Sequence, residues 1–149
     1  MPYAPRANRD RQPAVPMQPA IDPAAWAPEE LAAKDDWIYE LSGNECGQIV
    51  AAVDGIEKSG LGIKNIRKDD FRLAGFADDL AGIRDEFLNG RGFVLIRGVP
   101  VADMTREQSA IAFWGIGAHL GRAVSQNGQG HLLGHVKDVG GDYSDKNTR

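Results

Sequence analysis

The side chains best suited to hold a metal are His119, the pair in His131-Leu132-Leu133-Gly134-His135, and Asp138. Two imidazoles four residues apart come within reach of one ion on a helix, where such positions stack one above the other. Gly130 and Gly134 disfavour a helix across this stretch. On a strand the same two Cβ atoms stand on the order of 13 Å apart, too far to share an ion. The expectation is no metal site within this chain, with the histidines in ordinary polar or packing roles. The alternative is a small metal-binding protein built on the three histidines.

Other chemistries are weaker still. Ser125 could join a histidine and an aspartate as a nucleophile, but no Gly-x-Ser-x-Gly elbow surrounds it. Asn89-Gly90-Arg91-Gly92 and Gly128-Gln129-Gly130-His131 supply glycines without the Gly-Lys-Ser/Thr of a phosphate loop. They read as turns. Asp69-Asp70 and Asp78-Asp79 stand where helices should begin, and there carboxylates favour the positive end of the helix dipole. Cys46 is the only cysteine. It excludes an internal disulfide and a cysteine-rich zinc site, and reads as a packed thiol. No catalytic residue is assigned.

The elements that would position these residues follow from pattern. Seven of the eight prolines fall within residues 1–28, so residues 1–22 are expected to be a disordered arm and 23–149 a folded body. The first twenty residues carry three arginines against one aspartate, so a chain of net charge −4 has a body of about −6. An acidic body argues against a nucleic-acid partner. No apolar run approaches a membrane span, and the N-terminus has no apolar signal core. A cytoplasmic protein is expected.

Trp26 and Trp37 should pin the leading segment onto the body. Ser42-Gly43-Asn44-Glu45 is a capping box. It predicts a helix with Ile49, Val50, Val53 and Ile56 on one face, stopped at Gly60. Leu61–Arg72 reads as a linker. A second helix carries Phe76, Leu80, Ile83 and Phe87 and ends at Asn89-Gly90. Phe93–Ile96 is an unbroken apolar run, expected to be a strand covered on both faces. Thr105–Gln108 is another capping box, opening a helix to Leu120 that should be buried on much of its surface. Beyond Gly121 the chain is glycine-rich, with one short apolar stretch, Leu132–Val136, that would be a strand only if paired.

Gly90-Arg91-Gly92-Phe93-Val94-Leu95-Ile96-Arg97-Gly98-Val99-Pro100 and Trp114-Gly115-Ile116-Gly117-Ala118-His119-Leu120-Gly121-Arg122 resemble the taurine dioxygenase-like (TauD/TfdA-like) family of iron(II)- and 2-oxoglutarate-dependent oxygenases. Gln126-Asn127, Leu132–Val136 and Asp142–Asp145 fit as well. So does Trp37-Ile38-Tyr39-Glu40-Leu41-Ser42, which is similar to the N-terminal part of one branch. The resemblance covers about residues 25–149.

It implies an α+β fold, the helical and early-strand portion of a double-stranded β-helix (jelly roll). It further implies an oxygenase that uses Fe(II) with 2-oxoglutarate as cosubstrate on a small-molecule substrate. The family holds iron with His-x-Asp/Glu and a distant His, and 2-oxoglutarate with a late Arg. His119-Leu-Gly, His131-Leu-Leu and His135-Val-Lys all lack the acid two residues on, so none of these ligands maps onto this chain. Gln126, Asn127 and Asp138 fall in the region that contributes substrate contacts. The chain is therefore expected to be an N-terminal fragment, truncated before the iron motif and inactive by itself. The competing expectation is a non-catalytic interaction module or degenerate remnant.

Overall fold

A computed structural model describes residues 11–134. His135, Asp138, Val136 and Asp142–Asp145 lie outside the described residues. The leading segment holds a single helical turn, α1 (Pro28–Ala32), and a short strand, β1 (Ile38–Glu40). Two helices follow, α2 (Gly43–Ser59) and α3 (Ala77–Asn89), then β2 (Leu95–Arg97) and α4 (Arg106–Leu120). The described part is mostly helical. None of its helices is long and apolar enough to cross a membrane.

Helix ends follow the local signals. The Ser42 hydroxyl accepts the Glu45 N–H, and the Glu45 carboxylate accepts the Ser42 N–H at 2.7 Å. Gly60 closes α2 in the left-handed conformation, at φ 67°, where a side chain would be strained. Thr105 and Gln108 make the same reciprocal pair at the start of α4. Asp78 and Asp79 occupy the first turn of α3, as expected, whereas Asp69 and Asp70 lie in a turn that opens no helix, where Asp70 accepts the Arg67 N–H.

The core lies among α2, α3 and α4. Ile49, Val53 and Ile56 of α2 meet Leu80 and Ile83 of α3 and Ile111, Ala112 and Ile116 of α4. Two expectations are corrected. Val50 is exposed rather than facing this core. The stretch read as a linker supplies Ile66 and Phe71, both buried, and Leu73 follows them into the core. Such a segment has no period to betray it, because isolated apolar residues plug gaps between helices instead of forming a face. α4 is buried or half-buried along much of its length, as expected, although Phe113 is 68% exposed.

β1 and β2 pair in parallel, Ile38 with Leu95, Tyr39 with Ile96 and Glu40 with Arg97. A parallel pair needs a long crossover, and α2 and α3 provide it. The strand expected at Phe93–Ile96 is found at Leu95–Arg97 and is not covered on both faces. Leu95 and Arg97 are exposed and Ile96 is half-buried. The reason is pairing. Among the described residues β2 has β1 as its one neighbour, and a two-stranded ribbon cannot be an interior strand. Tyr39 ties this small sheet to the core, stacking on Phe76 at 5.5 Å and bonding the Glu45 carboxylate.

The tryptophans act as expected. Both pack against Phe93, with ring centroids 5.2 Å (Trp26) and 5.9 Å (Trp37) away. The Trp26 indole N–H donates to the Arg91 carbonyl at 3.1 Å.

Candidate functional site

The described residues form an open cleft of about 990 Å³ between three elements. One wall is the segment Lys64–Lys68, which follows from a short 3-10 turn (Ile63–Asn65). The floor is the C-terminal half of α4. The far wall is the loop after Gly121, including Gln126 and Leu132–Gly134.

Two side chains of α4 fix the first wall against the floor. The Trp114 indole N–H donates to the Ile66 carbonyl at 3.2 Å. His119 Nε2 lies 2.7 Å from the Phe71 carbonyl. A carbonyl only accepts, so Nε2 carries the proton and Nδ1 is left with its lone pair. Nδ1 is buried and has no partner among the described residues. Gly115 lets the helix come close, since a Cβ there would overlap the buried Phe71 ring. Through Nε2, His119 ties the last turn of α4 to the Phe71 carbonyl.

The far wall is held by its own polar side chains. Asn127 Oδ1 accepts the N–H groups of Gln129 and His131, both at 3.1 Å. Its Nδ2 donates to His131 Nδ1 at 2.9 Å. The Ser125 hydroxyl donates to the Asn127 carbonyl at 2.8 Å. Of the three pocket candidates, Gln126 lines the cleft, with its Nε2 donating to the Val124 carbonyl at 2.9 Å. Asn127 holds the loop. Asp138 lies outside the described residues.

Among the described residues no group of three or more His, Cys, Asp or Glu converges on one point. His131 stands on the exposed loop and His119 points into the α4 contact. Cys46 is half-buried on α2, its Sγ 3.2 Å from the Gly98 carbonyl.

Sequence reasoning missed two features. Lys64, Arg67, Lys68 and Arg122 all line the cleft, and among the described residues no acid does. These cations are scattered along the chain, so nothing in the order of residues marks them as neighbours. The second feature is a buried ion pair. The Arg91 guanidinium donates to Glu86 at 2.9 Å and to Asp36 at 2.8 Å, with the Arg91 side chain 1% exposed and Glu86 fully buried. Burial works to lower the Arg91 pKa, but the hydrogen bonds and charges of Asp36 and Glu86 outweigh it and the net direction is upward. This pair locks the end of α3 to the leading segment and sets the approach to β2.

No family model matches the chain. It is 26% identical over 123 residues to the FR-33289 synthase of Streptomyces rubellomurinus, covering 83% of this chain and 36% of that protein. It is 24% identical over 142 residues to a taurine hydroxylase-like protein of Stachybotrys chartarum, covering 94% of this chain and 37% of that protein. The chain is a distant relative of the taurine dioxygenase-like oxygenases. The relationship runs through nearly all of the helical body, both strands and the cleft. The chain spans little more than a third of the length of either relative.

Proposed function

We propose that this chain is the N-terminal portion of an iron(II)- and 2-oxoglutarate-dependent dioxygenase that oxidises a small organic substrate as 2-oxoglutarate is decarboxylated. One observation carries the reading. The similarity to two oxygenase relatives covers most of this chain but only 36% and 37% of theirs. In this reading residues 23–149 are the opening part of a jelly-roll domain. The helices α2–α4 cover one side, and β1 and β2 are early strands whose free edges take up the strands still to come. Gln126, Asn127 and Asp138 belong to the substrate-pocket wall. Asn127 acts there by shaping the loop that presents Gln126.

The described residues do not fit an iron centre. Among them no group of three or more His, Cys, Asp or Glu converges on one point. Iron and 2-oxoglutarate are therefore assigned to the complete enzyme and not to this portion. The test is to strip the 149-residue chain with a chelator, add Fe(II), desalt and measure retained iron and 2-oxoglutarate-dependent succinate. Iron well below one per chain and no succinate are expected. One tightly retained iron per chain would contradict the reading.

A further inference from the structure

We infer that Asn127-Gly128 is a self-modifying site, at which Asn127 loses its side-chain amide as ammonia to its own backbone. The inference stands on this loop and not on the oxygenase reading. The loop is closed around the pair. The Gln126 N–H donates to the His131 carbonyl at 2.7 Å. The Asn127 carbonyl accepts the Gly130 N–H at 3.0 Å and the Ser125 hydroxyl at 2.8 Å. Asn127 is exposed, so water reaches it. Its Oδ1 accepts the Gln129 and His131 N–H groups, which folds the side chain back over the Gly128 peptide. The Gly128 N–H donates no hydrogen bond among the described residues, and Gly128 has no Cβ to obstruct approach.

Each part of the displacement has a group in place. The Gly128 nitrogen attacks Asn127 Cγ and gives its proton to water, closing a cyclic imide. The negative charge gathers on Oδ1, where two backbone N–H groups already stand at 3.1 Å, the arrangement that stabilises an oxyanion. The Cγ–Nδ2 bond then breaks. Nδ2 lies 2.9 Å from His131 Nδ1, and this exposed imidazole, protonated from solvent, supplies the proton with which it leaves as ammonia. Water opens the imide at either carbonyl, leaving an aspartyl or isoaspartyl residue at position 127. Nothing is oxidised or reduced. The new carboxylate cannot donate to His131 as the amide did, and the isoaspartyl form lengthens the main chain, so the loop beside Gln126 loosens. Asn89-Gly90 is the built-in comparison. There the Gly90 N–H is engaged by the Glu86 carbonyl at 3.1 Å, and Asn89 Nδ2 donates to Asp85 at 2.7 Å.

The test ages the 149-residue chain, folded and in urea, and follows both Asn-Gly pairs by peptide mapping with mass spectrometry and by released ammonia. Asn127 should convert about tenfold or more faster in the folded chain than in urea, a modest return from a placed general acid and oxyanion donors. Asn89 should do the reverse and convert faster in urea, where the Gly90 N–H is released. His131→Phe, at an exposed position, should slow Asn127 in the folded chain by about tenfold while leaving Asn89 and the helical circular dichroism unchanged. The comparison of folded with unfolded chain needs no variant, so it decides the matter if His131→Phe disturbs the loop. Two results would overturn the inference: Asn127 converting no faster in the folded chain than in urea, or an undiminished rate in folded His131→Phe.

Discussion

Glu86→Ala should be among the most damaging single changes in this chain. Glu86 is fully buried, and one of its oxygens accepts both the Arg91 backbone N–H at 3.0 Å and the Arg91 Nε–H at 2.9 Å. Truncating it leaves a guanidinium that is 1% exposed with Asp36 as its remaining carboxylate partner in the pair network. Stranding a buried charge costs about 3–5 kcal/mol. A domain of this size has about 5–15 kcal/mol in total. In urea, where small domains lose about 1–3 kcal/mol per molar, the midpoint should fall by on the order of 2 M. Asp36→Asn is the control. Asp36 is 45% exposed, so solvent screens its bond and the loss should be about 1 kcal/mol or less. Replacing both partners, Glu86→Leu with Arg91→Met, should recover most of the stability, because the penalty comes from a buried guanidinium left without its buried partner and not from the missing bond itself. Urea unfolding followed by helical circular dichroism measures all four proteins. Should Glu86→Ala cost no more than Asp36→Asn, the pair does not hold α3 to the leading segment.

Other consequences follow from single contacts. Ser42→Ala removes one half of the α2 capping box and should cost about 1 kcal/mol by the same unfolding assay, with Glu45 left to cap alone. Gly115→Ala should cost about 1–3 kcal/mol because the new methyl meets the buried Phe71 ring, whereas Gly117→Ala, with open space around it, should be neutral or slightly stabilising. Burial pushes the Glu45 pKa up, but hydrogen bonds from Ser42 and Tyr39 outweigh it and hold the carboxyl below its ordinary 4.5. A carboxyl depressed in the folded state contributes stability that is full above the unfolded value and lost as pH falls through the folded one. Stability should thus decline on acidification below about pH 4.5, and Glu45→Gln should flatten that decline in a pH series of unfolding midpoints.

Helix boundaries were legible in the sequence because their signals are local. Ser42 with Glu45, Thr105 with Gln108, and Gly60 each act within one turn of the chain. The buried face of α3 was legible too, since Phe76, Leu80 and Ile83 keep a helical period. What depends on tertiary partners was not. Ile66 and Phe71 fill the core from an aperiodic segment, and Phe113 is left exposed on a helix whose apolar residues show no single stripe. β1 is three residues long and exists because β2 pairs with it, so no run of its own announced it. In the candidate site, Gln126 was reached through family resemblance. The cationic lining was invisible because the fold alone brings residues 64–68 beside Arg122.

The central claim is that this chain opens a longer oxygenase, and reading the source DNA past the Arg149 codon tests it most directly. The account predicts an in-frame continuation with His-x-Asp/Glu within a few tens of codons, followed later by a second His and an Arg. An authentic stop codon directly after Arg149 would contradict it.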